Sequence, residues 1–216
     1  LVSIEPPRLE ALKRTILEET PDATVATDVS TVPWAGQCDL IVTATSAFGQ
    51  RVLDVSQCKP GAVILDVALP PDISAEEAAL RPDVLVVESG EVLIPGPVNF
   101  SFNIGLPQGV AYACLAEAAL LAMEERFECF TLGRDVHPDR VKEIYRLFRK
   151  HDFRIAPLRT FGQLLTDDLV AEKRVRADEL MRDPARLARV KAEAGERMAR
   201  IPPRAKGVAG VTTLKA

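Results

Sequence analysis

Cys114 and Glu117 lie three residues apart in PQGVAYACLAEAALLAMEER, the stretch from Pro107 to Arg126. In a helix that spacing sets a thiol and a carboxylate on one face. A thiolate is a strong nucleophile and forms covalent intermediates. The competing reading is a small apolar side chain, the ordinary state of a buried free cysteine. Glu117 needs a reason to be there, because an unpaired buried carboxylate is costly. Arg134, or a wet strip of the helix, would supply one. The two histidines read as helix-end residues: His137 starts a helix, and His151 closes it, where an imidazolium meets the helix dipole.

The element that carries Cys114 reads as a buried helix. Pro107 suits a first helical position, where a missing N–H costs nothing. From Val110 to Met123 the only charge is Glu117, and a helix apolar nearly all round belongs in an interior. On that reading Cys114 sits about two turns in, beyond the reach of the helix N-terminus.

Three upstream runs, Cys38 to Thr45, Ala62 to Val67 and Val84 to Val87, are continuously apolar rather than alternating. That is the pattern of parallel strands buried on both faces. Leu1 to Ile4 and Thr24 to Thr27 read as shorter strands, and Arg8 to Glu19 has helical spacing. Ser74 is placed to cap a helix running through Leu80. The fold class is therefore α/β, a partial Rossmann-like parallel sheet followed by a helical C-terminal region. Ligands of such sheets bind beyond the carboxyl ends of the strands. Here those ends are Ile4-Glu5, Thr45-Ser46-Ala47, Val67-Ala68-Leu69 and Ser89-Gly90, whose small residues make tight turns or suit close approach by a cofactor. Further on, Ile94 to Leu106 reads as irregular, Pro138 to Lys150 as an amphipathic helix and Phe153 to Leu158 as a last strand. Thr166 to Arg200 reads as charged helices broken at Asp183-Pro184, a solvated or partner-binding extension. The expected divisions are 1–106 (dinucleotide-binding-like), 107–160 (the Cys-bearing helix with the next helix and strand) and 161–216 (the extension).

With 216 residues, 47% hydrophobic content and a net charge of −4, the composition is that of an ordinary globular chain. The mild acidity leaves no footprint for nucleic acid, and no stretch is long and apolar enough to span a membrane. No signal peptide is visible. Cys38, Cys58, Cys114 and Cys129 are far apart and form no CxxC pair, which argues against a metal site and a disulfide framework. A cytoplasmic protein is expected. The glycine-rich G-x-G-x-x-G turn of dinucleotide-binding sheets is absent. The chain begins with Leu, on a strand, so a fragment is expected, with that motif upstream and Glu5 at the ribose-binding acid position.

The segment from Ala113 to Leu158, ACLAEAALLAMEERFECFTLGRDVHPDRVKEIYRLFRKHDFRIAPL, resembles the C-terminal part of the long-chain fatty acyl-[acyl-carrier-protein] reductases. The phrases DLIVTATSA, AVILDVALPPDIS and VLVVESGEV look like the later Rossmann strands of that family, in the same order. The resemblance implies an aldehyde-forming oxidoreductase. Cys114 would take the acyl group from an acyl carrier protein or coenzyme A thioester, and NADPH, with NADH as the alternative, would reduce it. Thr45, Ser46, Ala47 and Gly90 would border the cofactor. Two other readings stand beside it. The same phrases resemble the nucleotide domains of glutamyl-tRNA reductases and shikimate dehydrogenases. A non-catalytic domain binding a partner through its charged C-terminal helices is the third.

Overall fold

The computed structural model describes residues 1–47, 50–131, 133 and 136–203. Arg134, the expected partner of Glu117, and the tail from 204 onward lie outside the described residues. The described chain forms two compact units, residues 1–88 with 160–203, and residues 89–159. The expected break after residue 106 thus falls inside the second unit, and the expected C-terminal extension belongs to the first.

The first unit opens on helix α1 (Pro6–Glu19), which starts on paired prolines that fix φ for the first turn. The expected strands at Leu1 and Thr24 reduce to one parallel bridge, Val2 to Asp28. Strands β1 (Leu40–Thr43), β2 (Val63–Asp66) and β3 (Leu85–Glu88) then pair in parallel, with Leu40 opposite Val63 and Val63 opposite Leu85. A 3-10 turn (Val55–Gln57) and helix α2 (Ala75–Ala79) lie between them. Helix α2 is fixed by a complete capping box, Ser74 accepting from the Glu77 N–H while Glu77 accepts from the Ser74 N–H.

Because successive strand residues face opposite ways, Ile41, Ile64 and Val86 share one face. There they join a core of Leu53, Val55, Ile73, Leu80, Val84 and Met198. Leu40 and Val42 point the other way and are 61% and 57% exposed. The expectation of strands buried on both faces therefore fails at β1, which is an edge strand with one face open. The continuous apolar run does mark a parallel strand, but run length does not report whether a second layer covers it.

Beyond residue 158 the chain adds β7 (Arg159–Thr160) and β8 (Gln163–Leu164), which extend the sheet in the order β1-β2-β3-β7-β8. Their turn uses Phe161 and Gly162 at positive φ, 47° and 79°, a conformation that suits glycine far better than a side-chain-bearing residue. Helices α5 (Asp167–Arg182) and α6 (Pro184–Met198) come next, separated at Asp183, which caps α6 by accepting from the Arg186 N–H. The extension is expected to be solvated or partner-binding. Instead Ala177, Leu180, Ala194 and Met198 are buried, and α6 packs on the Val55–Gln57 turn. The charges occupy the outer faces, and small apolar residues at helical spacing form the inner one.

The second unit holds a three-stranded antiparallel sheet, β5-β4-β6, of β4 (Glu91–Leu93), β5 (Val110–Tyr112) and β6 (Arg154–Ile155). Helix α3 (Ala113–Met123) and helix α4 (Pro138–Lys150) complete it. Val92, Ala116, Leu120, Leu121, Phe130, Leu147 and Phe153 form its core. His137 caps α4 by accepting from the Asp139 N–H. His151 closes it, with its Nε2 2.5 Å from a Glu124 carboxylate oxygen that also receives Lys150. Both histidines thus serve helix ends. Among the described residues no helix is long and apolar enough to cross a membrane.

Candidate functional site

The expected helix from Pro107 is corrected by the structure. Gly109 turns the chain at φ 79°, and Val110, Ala111 and Tyr112 hydrogen-bond to β4 as a strand. The helix begins only at Ala113. Cys114 is therefore in the first turn rather than two turns in, and it is exposed rather than buried. The buried side of α3 is Ala116, Leu120 and Leu121. Glu117 is half-buried and accepts a hydrogen bond from the Thr131 hydroxyl, which supplies the partner that the sequence left open. Gly90 does meet this element: its carbonyl accepts from the Ala113 N–H at 2.7 Å. The buried thiol is Cys58 instead, in the core of the first unit, its pKa pushed up to about 11 by burial. A thiol so shifted is protonated at neutral pH and chemically quiet.

Thr45, Ser46 and Ala47 come together in the first unit, in a cleft at the carboxyl ends of β1 and β2. Gln50, Arg51, Pro70, Pro71, Asp72, Glu77 and Pro203 line the rest. The position agrees with the general rule for parallel sheets. Its charged groups are already committed. Asp72 accepts from the Thr45 hydroxyl at 2.6 Å and from the Thr45 N–H at 3.1 Å, which ties the loop after β1 to the loop after β2. The Ala47 N–H in turn donates to the Thr45 hydroxyl oxygen. Arg51 donates to Glu77 at 3.0 Å and to the carbonyls of Met198 and Ile201 at 3.1 and 2.7 Å. A guanidinium at the last carbonyls of α6 satisfies acceptors that the helix leaves without partners. Sequence reasoning missed Asp72 and Arg51. The PPDIS turn after β2 carried the signal for Asp72. Nothing in the sequence marks the Arg51 contacts, which span about 150 residues of chain.

Asp66, at the end of β2, holds the same loop from below by accepting from the Ala68 N–H at 3.1 Å and the Ile73 N–H at 2.9 Å. Burial pushes its carboxyl above the usual range, outweighing those two hydrogen bonds. A carboxyl raised in the folded state contributes stability that is fully present below its unfolded pKa and is lost as pH rises through the folded value. Asn at this position does not titrate. Wild type should therefore lose ground against Asp66→Asn over the window that opens near the ordinary carboxylate value of about pH 4 and extends upward, read as the difference in urea midpoints at each pH. A constant difference across that window would contradict the assignment.

Among the described residues, each charged group in the cleft already has a partner. Arg51 is neutralised by Glu77, and Asp72 and Glu77 make the lining acidic. Anions want the reverse, clustered N–H groups and uncommitted cations. Among the described residues the lining contains no lysine. A phosphate-bearing aldehyde cofactor needs both a lysine and a phosphate cradle, so the cleft does not fit one.

No protein-family model matches the chain. It is similar to a protein named aminotransferase PigE of Serratia sp. (strain ATCC 39006), 40% identical over 130 residues, which is 59% of this chain and 15% of that protein. The chain thus corresponds to less than a sixth of that relative's length. The relative's name overturns the expected function. A protein this similar is named for amino-group transfer, so the NADPH-dependent reduction of an acyl thioester to a fatty aldehyde is corrected, and with it the expected NADPH or NADH cofactor. The carboxyl-end positions Thr45, Ser46 and Ala47 are left as parts of a fastened cleft, and Cys114 as an exposed thiol with no assigned step.

Proposed function

We propose that this chain is a supporting α/β portion of an enzyme that transfers amino groups. The observation that carries the reading is the 40% identity to the aminotransferase over 59% of the chain. The supporting role comes from the cleft. Its ionic groups bind each other and the end of α6, and they fasten the loops after β1 and β2 instead of presenting charge to a ligand. Amino donors and carbonyl acceptors are then the substrates of the whole protein, not ligands of this cleft. The resemblance of residues 113–158 to acyl-carrier-protein reductases is kept as a proposal about the descent of these strands and helices, not about their present chemistry.

The test is direct. The full natural protein carrying this sequence is incubated with a nitrogen-labelled amino donor and a panel of keto acids and aldehydes. Labelled nitrogen in a newly formed amine or amino acid is the expected result. Its absence across the panel, with the protein shown to be folded, would contradict the reading.

A further inference from the structure

The amino-transfer reading requires a lysine that tethers an aldehyde cofactor through its amine, in a site with a phosphate cradle and a partner for the ring nitrogen. Among the described lysines, Lys59 is paired with Asp39, Lys142 with Asp139 at 3.6 Å and Lys150 with Glu124 at 2.6 Å. All three are held in ion pairs with a neighbouring carboxylate. Lys13 lies on α1, with no place in the cleft lining.

Lys173 and Lys191 come nearest to the requirement, since burial lowers the pKa of both. Each is already used. Lys173 donates to the Val84 carbonyl at 2.9 Å and to the Pro82 carbonyl at 3.2 Å. Lys191 donates to the Gln57 carbonyl at 2.9 Å. These bonds hold α5 and α6 to the turns that precede β2 and β3, around the buried Arg81–Asp83 pair. Neither lysine lines the cleft. Among the described residues the cleft offers no free cation, since its one guanidinium, Arg51, is paired with Glu77.

We propose that the cofactor-tethering lysine lies outside this 216-residue stretch, in another part of the natural protein, and that Lys173 and Lys191 are packing cations. The inference rests on the amino-transfer reading and adds where its chemistry resides.

Reductive trapping tests it. The full natural protein is saturated with pyridoxal phosphate, reduced with borohydride, digested and mapped by mass spectrometry. A cofactor adduct on a lysine outside Leu1 to Ala216, with every lysine inside unmodified, is the expected result. An adduct on Lys173, Lys191, Lys206 or any other lysine of this stretch overturns the inference and leaves the amino-transfer reading standing. No stable adduct anywhere in the saturated protein overturns both. Lys173→Arg and Lys191→Arg provide the control, because a packing cation tolerates the exchange without change in cofactor loading, and a tether does not.

Discussion

Replacing Arg81 with alanine should cost the first unit about 3–5 kcal/mol, the range for breaking a buried ion pair by removing one partner. Arg81 is 0% exposed and Asp83 1%. The guanidinium makes paired bonds to Asp83 at 2.8 and 2.6 Å, and its other arm reaches the carbonyls of Ser56 and Cys58 at 2.7 and 3.0 Å. One side chain therefore satisfies a buried carboxylate and two buried carbonyls. Its removal strands all three away from water, and the stranded charge dominates the cost. A double-mutant cycle with Asp83→Ala isolates the pair: the double variant should be less destabilised than the sum of the singles. Urea unfolding measures each term. A loss below about 1 kcal/mol in Arg81→Ala, the range of exposed pairs, would show that the site is wet.

Met198→Ala should cost about 2–5 kcal/mol, the range for emptying a core site of this size. Met198 is 2% exposed and packs with Val55, Leu53 and Ile64 in the main core of the first unit. Its carbonyl also receives Arg51, and a truncated side chain that lets the end of α6 drift would loosen that contact as well. The same substitution on a solvated appendage is worth no more than about 0.5 kcal/mol. The unfolding midpoint of this one variant thus decides whether α6 is part of the fold or an extension of it.

The charged C-terminal helices show where sequence reading succeeds and where it stops. Their helical spacing and the break at Asp183-Pro184 are local signals, and the structure has both. Which face is buried depends on partners far away in sequence, here the Val55–Gln57 turn and Gly61, where an added side-chain carbon would crowd the Ala177 Cβ. Among so many Lys, Arg and Glu, the inner stripe of Ala and Leu is hard to see. The parallel strands are legible for the opposite reason, because β-branched runs between turns leave few alternatives.

The stretch around Cys114 misleads because two local signals agree on the wrong start. Pro107 at a first helical position and an alanine-rich run both favour a helix, yet Val110 to Tyr112 commit their backbone bonds to β4. A three-residue strand has no periodicity to reveal it, and its partner, Glu91–Leu93, is equally short. At the candidate site, the sequence locates the carboxyl-end loop that holds Thr45 but not the groups that close it. Asp72 is 27 residues from Thr45, and Arg51 reaches the Ile201 carbonyl 150 residues further on. Those contacts fasten the loops after β1 and β2 to each other and to the end of α6.

The central claim is that this cleft supports the enzyme without taking part in its chemistry, and Thr45→Val tests it most directly. The substitution removes the hydroxyl that donates to Asp72 and accepts from the Ala47 N–H, and it keeps the size of the side chain. The measurement is the steady-state kcat and KM for amino transfer in the full natural protein, alongside urea unfolding. The account predicts a stability loss of about 1.5–3 kcal/mol, the range for a hydrogen bond to a charged group. It also predicts kcat and KM within about twofold of wild type wherever the variant stays folded, as expected when no transition-state contact is touched. A fall in kcat of about tenfold or more in the folded variant, equivalent to about 1.4 kcal/mol of lost transition-state stabilisation, would contradict it and place the cleft in the catalytic machinery.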